Sequence, residues 1–138
     1  MPKFGERSSN NLKSVHADLQ IIMNEAVKHF DFTVLEGHRT VERQNELFHQ
    51  GKSKIDGIKK LGKHNHLPSL AVDVAPYPID WNDKPRFYYL AGLIKGIASE
   101  LLAKGEISHR VRWGGDWDSD GKFNDQTFID LPHFELIK

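Results

Sequence analysis

The sequence predicts an α+β domain, a small, largely antiparallel sheet flanked by helices. Two segments repeat apolar residues at helical steps, and short, separated strand candidates alternate with them. With 138 residues and 38% apolar content, the chain is long enough for one core and too short for two ordinary ones. There is no internal repeat, low-complexity tract or linker, so residues 1–138 read as a single domain.

In residues 12–30, Leu12, Val15, Leu19, Ile22, Ala26 and Phe30 fall on one face, which predicts one core helix. Phe32-Thr33-Val34-Leu35 is β-prone and runs into a turn at Gly37. Thr40 can cap a helix through Val41, Gln44, Leu47 and Phe48, with Gly51 as its stop, so that Arg39 projects from a strand-to-helix junction. Residues 51–63 carry five lysines and three glycines with little apolar periodicity, which predicts an exposed loop bordering the site. Residues 69–75 read as a strand with Asp73 on one face, ended by Pro76 and Pro78. Asp80 or Asp83 caps the next helix, with Pro85 in its first turn, a buried stripe of Phe87, Leu90, Ala91, Ile94, Ala98 and Leu101, and Gly105 as its stop. Residues 111–113 and 134–137 are the last strands, separated by a Gly- and Asp-rich stretch.

Nineteen basic and nineteen acidic residues cancel, which removes any overall electrostatic case for nucleic acid or an anionic membrane. Cysteine is absent, so disulfides and thiolate zinc sites are excluded and His, Asp and Glu are the available ligands. The N-terminus lacks the apolar core of a signal peptide, and the longest apolar run, residues 87–94, falls far short of the roughly 18–20 residues that span a bilayer. The expectation is a protein made and kept in the cytoplasm until something else releases it.

The chemistry concentrates in residues 64–76 and 130–135. His66 and Asp73 make a pair, a loop residue followed seven positions later by a strand residue, and His133 supplies a third donor. Two neutral imidazoles and a carboxylate suit a catalytic zinc that keeps a fourth position for water, with a second carboxylate left over to move protons. Spacing alone leaves open a rival set in which His64 and His66, two apart and on one face if extended, both bind the ion. Glu135 shares a strand face with His133 and can orient it.

The run from His66 to Asp73, with Ala71, resembles the Ser-x-His-x-x-Gly-x-Ala-x-Asp signature of the zinc D-Ala-D-Ala carboxypeptidase and L-alanyl-D-glutamate peptidase family. Asp130-x-x-His133-x-Glu135 is similar to its second signature, and Gly37-His38-Arg39-Thr40 with Gln44 and Gly51 to its Gly-x-Arg-Ser/Thr motif. Trp113-Gly114-Gly115-Asp116-Trp117 and Asp80-Trp81-Asn82 look like the phage T5-type endolysin branch. His64 stands where the family often has Ser, and Ser69 where it usually has Gly. The resemblance implies a zinc DD-peptidase/hedgehog-like fold, with His66, Asp73 and His133 as zinc ligands and Asp130 as the catalytic base. It also implies that Arg39 stabilises the oxyanion or holds a substrate carboxylate, with Gln44 assisting substrate binding.

Asp116, Asp118 and Asp120 alternate ahead of Gly121 in the pattern of an EF-hand calcium loop; Thr127 takes the place of the bidentate Glu, and Asp125 is the carboxylate that can stand in for it. This adds calcium as a candidate cofactor that orders the segment leading to Asp130. The function expected from the whole is a monomeric endolysin acting on bacterial peptidoglycan, cutting the L-alanyl-D-glutamate bond after a holin-like membrane permeabiliser admits it to the periplasm. A D-alanyl-D-alanine carboxypeptidase and a non-catalytic wall-binding module are the alternatives.

Overall fold

The structure, a computed structural model, describes residues 2–53, 55–122 and 129–138. In chain order the elements are α1 (Glu6–Lys13), α2 (Ala17–Val27), β1 (Phe32–Glu36), α3 (Val41–His49), a 3-10 turn (Lys63–Asn65), β2 (Ala71–Pro76), α4 (Lys84–Ala103), β3 (Arg110–Trp113) and β4 (His133–Ile137). The strands form one antiparallel sheet in the order β1-β2-β4-β3. The expected α+β architecture is therefore present.

The single helix expected over residues 12–30 is two helices. At the break, Ser14 Oγ donates to the Asn11 carbonyl (2.7 Å) and accepts from His38 N (2.8 Å). Val15 bridges to Ser69, with His16 N donating to Ser69 O (2.8 Å) and Ser69 N to Ser14 O (2.9 Å). These tertiary bonds replace helical ones, and His16 Nδ1 then caps α2 by accepting from Asp18 N (3.0 Å). Gly37 lets this junction close, because a Cβ there would meet Ser14 Oγ and the Asn11 carbonyl. Asp83 occupies the N-cap position of α4 without a side-chain capping bond, and Pro85 supplies the start signal.

Period-two alternation sorts the sheet into two faces. Val34, Val72, Val74, Val111, Trp113, Phe134 and Leu136 are all buried in the core, where α4 packs on β2 and β3 and α2 packs on α4. The alternate residues form the other face: Asp73 is paired with His133, and Arg112 with Glu135. A register shift between Val34 and Glu36 brings Glu36 opposite Asp73, adding a second carboxylate there. Among the described residues no helix is long and apolar enough to cross a membrane.

Candidate active site

The polar sheet face is the floor of a cavity of about 510 Å³, bordered by the 3-10 turn and by the residues preceding α3. At its centre the 3-10 turn delivers His64 onto the Asp73–His133 pair. His64 Nε2 lies 3.3 Å from Asp73 Oδ1 and 3.3 Å from His133 Nδ1, and His133 Nδ1 lies 3.2 Å from Asp73 Oδ1. One donor atom from each residue falls within 4.8 Å of the others, the spread a single ion can bridge.

Both imidazoles are locked from behind. His64 Nδ1 sits 2.8 Å from the Gly37 carbonyl, an acceptor only, so Nδ1 carries the proton and the Nε2 lone pair faces the cluster. For His133 the roles reverse: Nε2 lies 2.8 Å from Glu135 Oε1, which leaves Nδ1 directed inward. Burial disfavours a charged His133, yet bonds to Asp73 and Glu135 outweigh it and push the imidazole up to about 9. Burial likewise opposes the Asp73 carboxylate, but His133 and His64 hold it well below the usual range. The cluster thus already stabilises a positive charge at its centre. Its donor set, two imidazoles and a carboxylate with outer hydrogen bonds in place, fits zinc.

His66, the ligand the resemblance implies, lines the same cavity but is not among these three converging donors, and His64 is. Asn65 causes the difference: its Oδ1 accepts from Gly62 N (2.8 Å) and its Nδ2 donates to the Arg39 carbonyl (2.9 Å). That anchor turns His64 inward and leaves His66 exposed at the cavity rim. The sequence signal for His64 was the rival set that spacing alone left open, and nothing in the family pattern favoured it.

Arg39 and Gln44 reach the cavity wall, but their polar groups are engaged. Arg39 pairs with the Glu36 carboxylate through two nitrogens, donates through Nη1 to Gln44 Oε1 (2.9 Å) and keeps Nη2 at 3.7 Å from Asp73 Oδ2. Gln44 is 2% exposed, and its Nε2 donates to Ser53 Oγ (2.7 Å) and Ile55 O (2.6 Å). As placed, Gln44 braces Arg39 and the following loop.

Asp130 borders the same cavity. Gly114 holds it in place: Asp130 N donates to Gly114 O (2.9 Å), Gly114 N donates to His133 O (2.8 Å), and a Cβ on Gly114 would strike the Asp130 carbonyl. Trp113 Nε1 pins the same segment through the Leu131 carbonyl (2.7 Å). Burial raises the Asp130 pKa and the Asp73 charge adds to the rise, against the opposing effect of His133, His64 and Arg39. A carboxylate so tuned is more basic than one in water. Sequence reasoning also missed Arg112, which pairs through Nη2 with Glu135 Oε2 (2.7 Å). The alternation of Arg110-Val111-Arg112-Trp113 against His133-Phe134-Glu135-Leu136 already placed it on the His133 face.

Two further groups cluster. Asp116, Asp118 and Asp120 come together as the loop pattern suggests, while Asp125 lies outside the described residues. Backbone donors serve part of this group, with Gly121 N on Asp116 Oδ2 (2.9 Å) and Lys122 N on Asp120 Oδ1 (2.8 Å). His16, Asp18 and His109 also converge. There the His16 Nδ1 lone pair is committed to capping α2, and a neutral imidazole with that tautomer has a proton on Nε2, so this group is a structural staple.

Residues 1–137 match the family described as phage L-alanyl-D-glutamate peptidase. The L-alanyl-D-glutamate peptidase of Escherichia phage T5 is 32% identical, covering 98% of both chains. The peptidoglycan L-alanyl-D-glutamate endopeptidase CwlK of Bacillus subtilis is 31% identical over 81% of this chain and 64% of its own length. The crystal structure of the Serratia marcescens L-Ala D-Glu endopeptidase ChiX superposes with a TM-score of 0.72 at 30% identity, covering 97% of this chain and 89% of that one. Fold and full-length similarity agree, and the chain belongs to the phage L-alanyl-D-glutamate peptidase family.

Proposed function

We propose that this chain is an endolysin, a zinc endopeptidase that cuts the L-alanyl-D-glutamate bond of bacterial peptidoglycan. His64, Asp73 and His133 hold the metal. The observation that carries this reading is the convergence of those three donors, with the outer ring nitrogens bonded to the Gly37 carbonyl and Glu135 so that His64 Nε2 and His133 Nδ1 face Asp73. A zinc ion held by these residues would supply the Lewis acidity that acidifies a water and polarises a peptide carbonyl. Asp130 takes the proton of the attacking water and returns it to the leaving amine of the glutamyl residue. Arg39, clamped by Glu36 and Gln44, keeps Asp73 in position and adds positive charge to the cavity wall.

Digestion of purified peptidoglycan tests this. The expected products carry new alanine C-termini and glutamate N-termini, and Asp130→Ala slows their release by about 10²–10⁴-fold. Release of free D-alanine alone would favour the carboxypeptidase alternative, and equal activity in parent and variant would refute the role of Asp130. The proposal includes a monomeric enzyme that meets the wall from the cytoplasmic side with help from a holin-like permeabiliser. It also includes calcium at Asp116, Asp118 and Asp120, with Asp125 as a further carboxylate. Calorimetry should show calcium binding that is lost in a variant carrying Asp118→Asn and Asp120→Asn, and no binding to the parent would end that part.

A further inference from the structure

The committed bonds of Arg39 leave open which group reads the charge of the substrate. Arg112 is the other guanidinium bordering the cavity. It projects from β3 opposite Glu135, which anchors it through Nη2 while holding His133 through its other oxygen. The guanidinium carbon lies 5.6 Å from the ring centroid of Trp117, and that ring is 5.3 Å from the ring of His133. One carboxylate and one indole therefore fix the cation beside the proposed metal ligands. Among the described residues Glu135 is its only hydrogen-bonded partner, and its buried Nε has none. About a third of the side chain (35%) remains exposed. A guanidinium offers five donors, so Nη1 is left for a ligand arriving through the cavity.

The chemistry of the proposed bond says what that ligand is. A glutamyl residue has two carboxyl groups and continues the chain through one of them, so the other stays free, a few bonds from the amide nitrogen that leaves. We propose that Arg112 binds this free carboxylate and so determines specificity for an acidic residue on the leaving-group side of the scissile bond. The inference rests on the peptidase reading above and names the substrate feature that this reading requires. Trp117 stacks against the cation and restricts its motion, so the carboxylate meets a donor whose position is already set.

The test compares two synthetic alanyl-D-glutamyl peptides, one with the free side carboxylate and one with its neutral primary amide, which has nearly the same shape. The parent is expected to favour the acid by about 10- to 100-fold in kcat/KM, chiefly through KM. Arg112→Gln is expected to abolish that preference, and Arg112→Lys to restore part of it. If Arg112 only balances Glu135, Arg112→Gln slows both peptides by the same factor and the preference stays, which overturns the inference. Equal rates of parent cleavage on acid and amide also overturn it, whether or not the variants fold. Cleavage of neither peptide by the parent would instead refute the underlying peptidase reading.

Discussion

Glu135 joins two parts of the site, since one oxygen receives the His133 Nε2 proton and the other receives Arg112 Nη2. Burial alone would raise its pKa, but these two partners bring it down to about 2, so it is ionised at neutral pH. Glu135→Gln keeps the shape and removes the charge that fixes the His133 tautomer. The expected outcome, read by competition with a chromophoric chelator, is a 10- to 100-fold loss of zinc affinity, the usual effect of deleting such an outer partner. Unchanged affinity would mean that His133 is oriented without it. At this scale the sequence was informative about Asp73, Asp130, His133 and Glu135, because each falls on a regular strand or beside one. It did not decide between His64 and His66, because which of two histidines turns inward depends on Asn65 bonding to Gly62 and to a carbonyl across the fold.

The elements show how far apart the determinants of one site can lie. Gly114, just past β3, fixes Asp130 by backbone bonds and by the absence of a side chain. Gly114→Ala should cost about 1–3 kcal/mol in denaturant unfolding and depress turnover more than zinc content, since the alanine methyl displaces the base rather than the ligands. Normal turnover in that variant would contradict the placement of Asp130. At the start of α2, Asp18 Oδ2 accepts from Ser108 N (3.0 Å) and His109 Nδ1 (2.8 Å), tying the helix to the approach to β3. Burial pushes the Asp18 pKa up, but these bonds outweigh it and leave it below its ordinary value of 3.8. A carboxylate depressed in the folded state stabilises fully above its unfolded pKa, and the effect fades as pH falls through the folded value. Melts of Asp18→Asn against the parent should therefore differ at pH 7 and converge in acid below pH 3.8, whereas a constant gap would remove the ionic contribution. The break between α1 and α2 was hidden from sequence reading because Leu12, Val15 and Leu19 keep helical spacing across it. Only the bridge from Val15 to Ser69, remote in sequence, reveals it.

At the scale of the whole molecule, the alternation of apolar and polar residues along four strands divides one sheet between two tasks. One face is closed by α2 and α4 into the core, and the other gathers ligands, base and cation from β2, β3, β4, the turn before β2 and the segment leading into β4. That division was legible in the sequence, since Val72-Asp73-Val74 and His133-Phe134-Glu135-Leu136 announce it, and so was the lysine-rich loop that borders the polar face; which histidine enters the cluster was not. Because the donors come from segments far apart in the chain, an ion bound there stabilises the folded state over the unfolded one. Stripping metal with a chelator should lower the melting temperature by several degrees and abolish peptidoglycan cleavage, both restored by zinc. The most direct measurement is the zinc content of purified His64→Ala and His66→Ala proteins beside the parent, by elemental analysis. One zinc per chain is expected in the parent and in His66→Ala, and loss of zinc in His64→Ala. Zinc retained in His64→Ala and lost in His66→Ala would contradict His64 as a ligand.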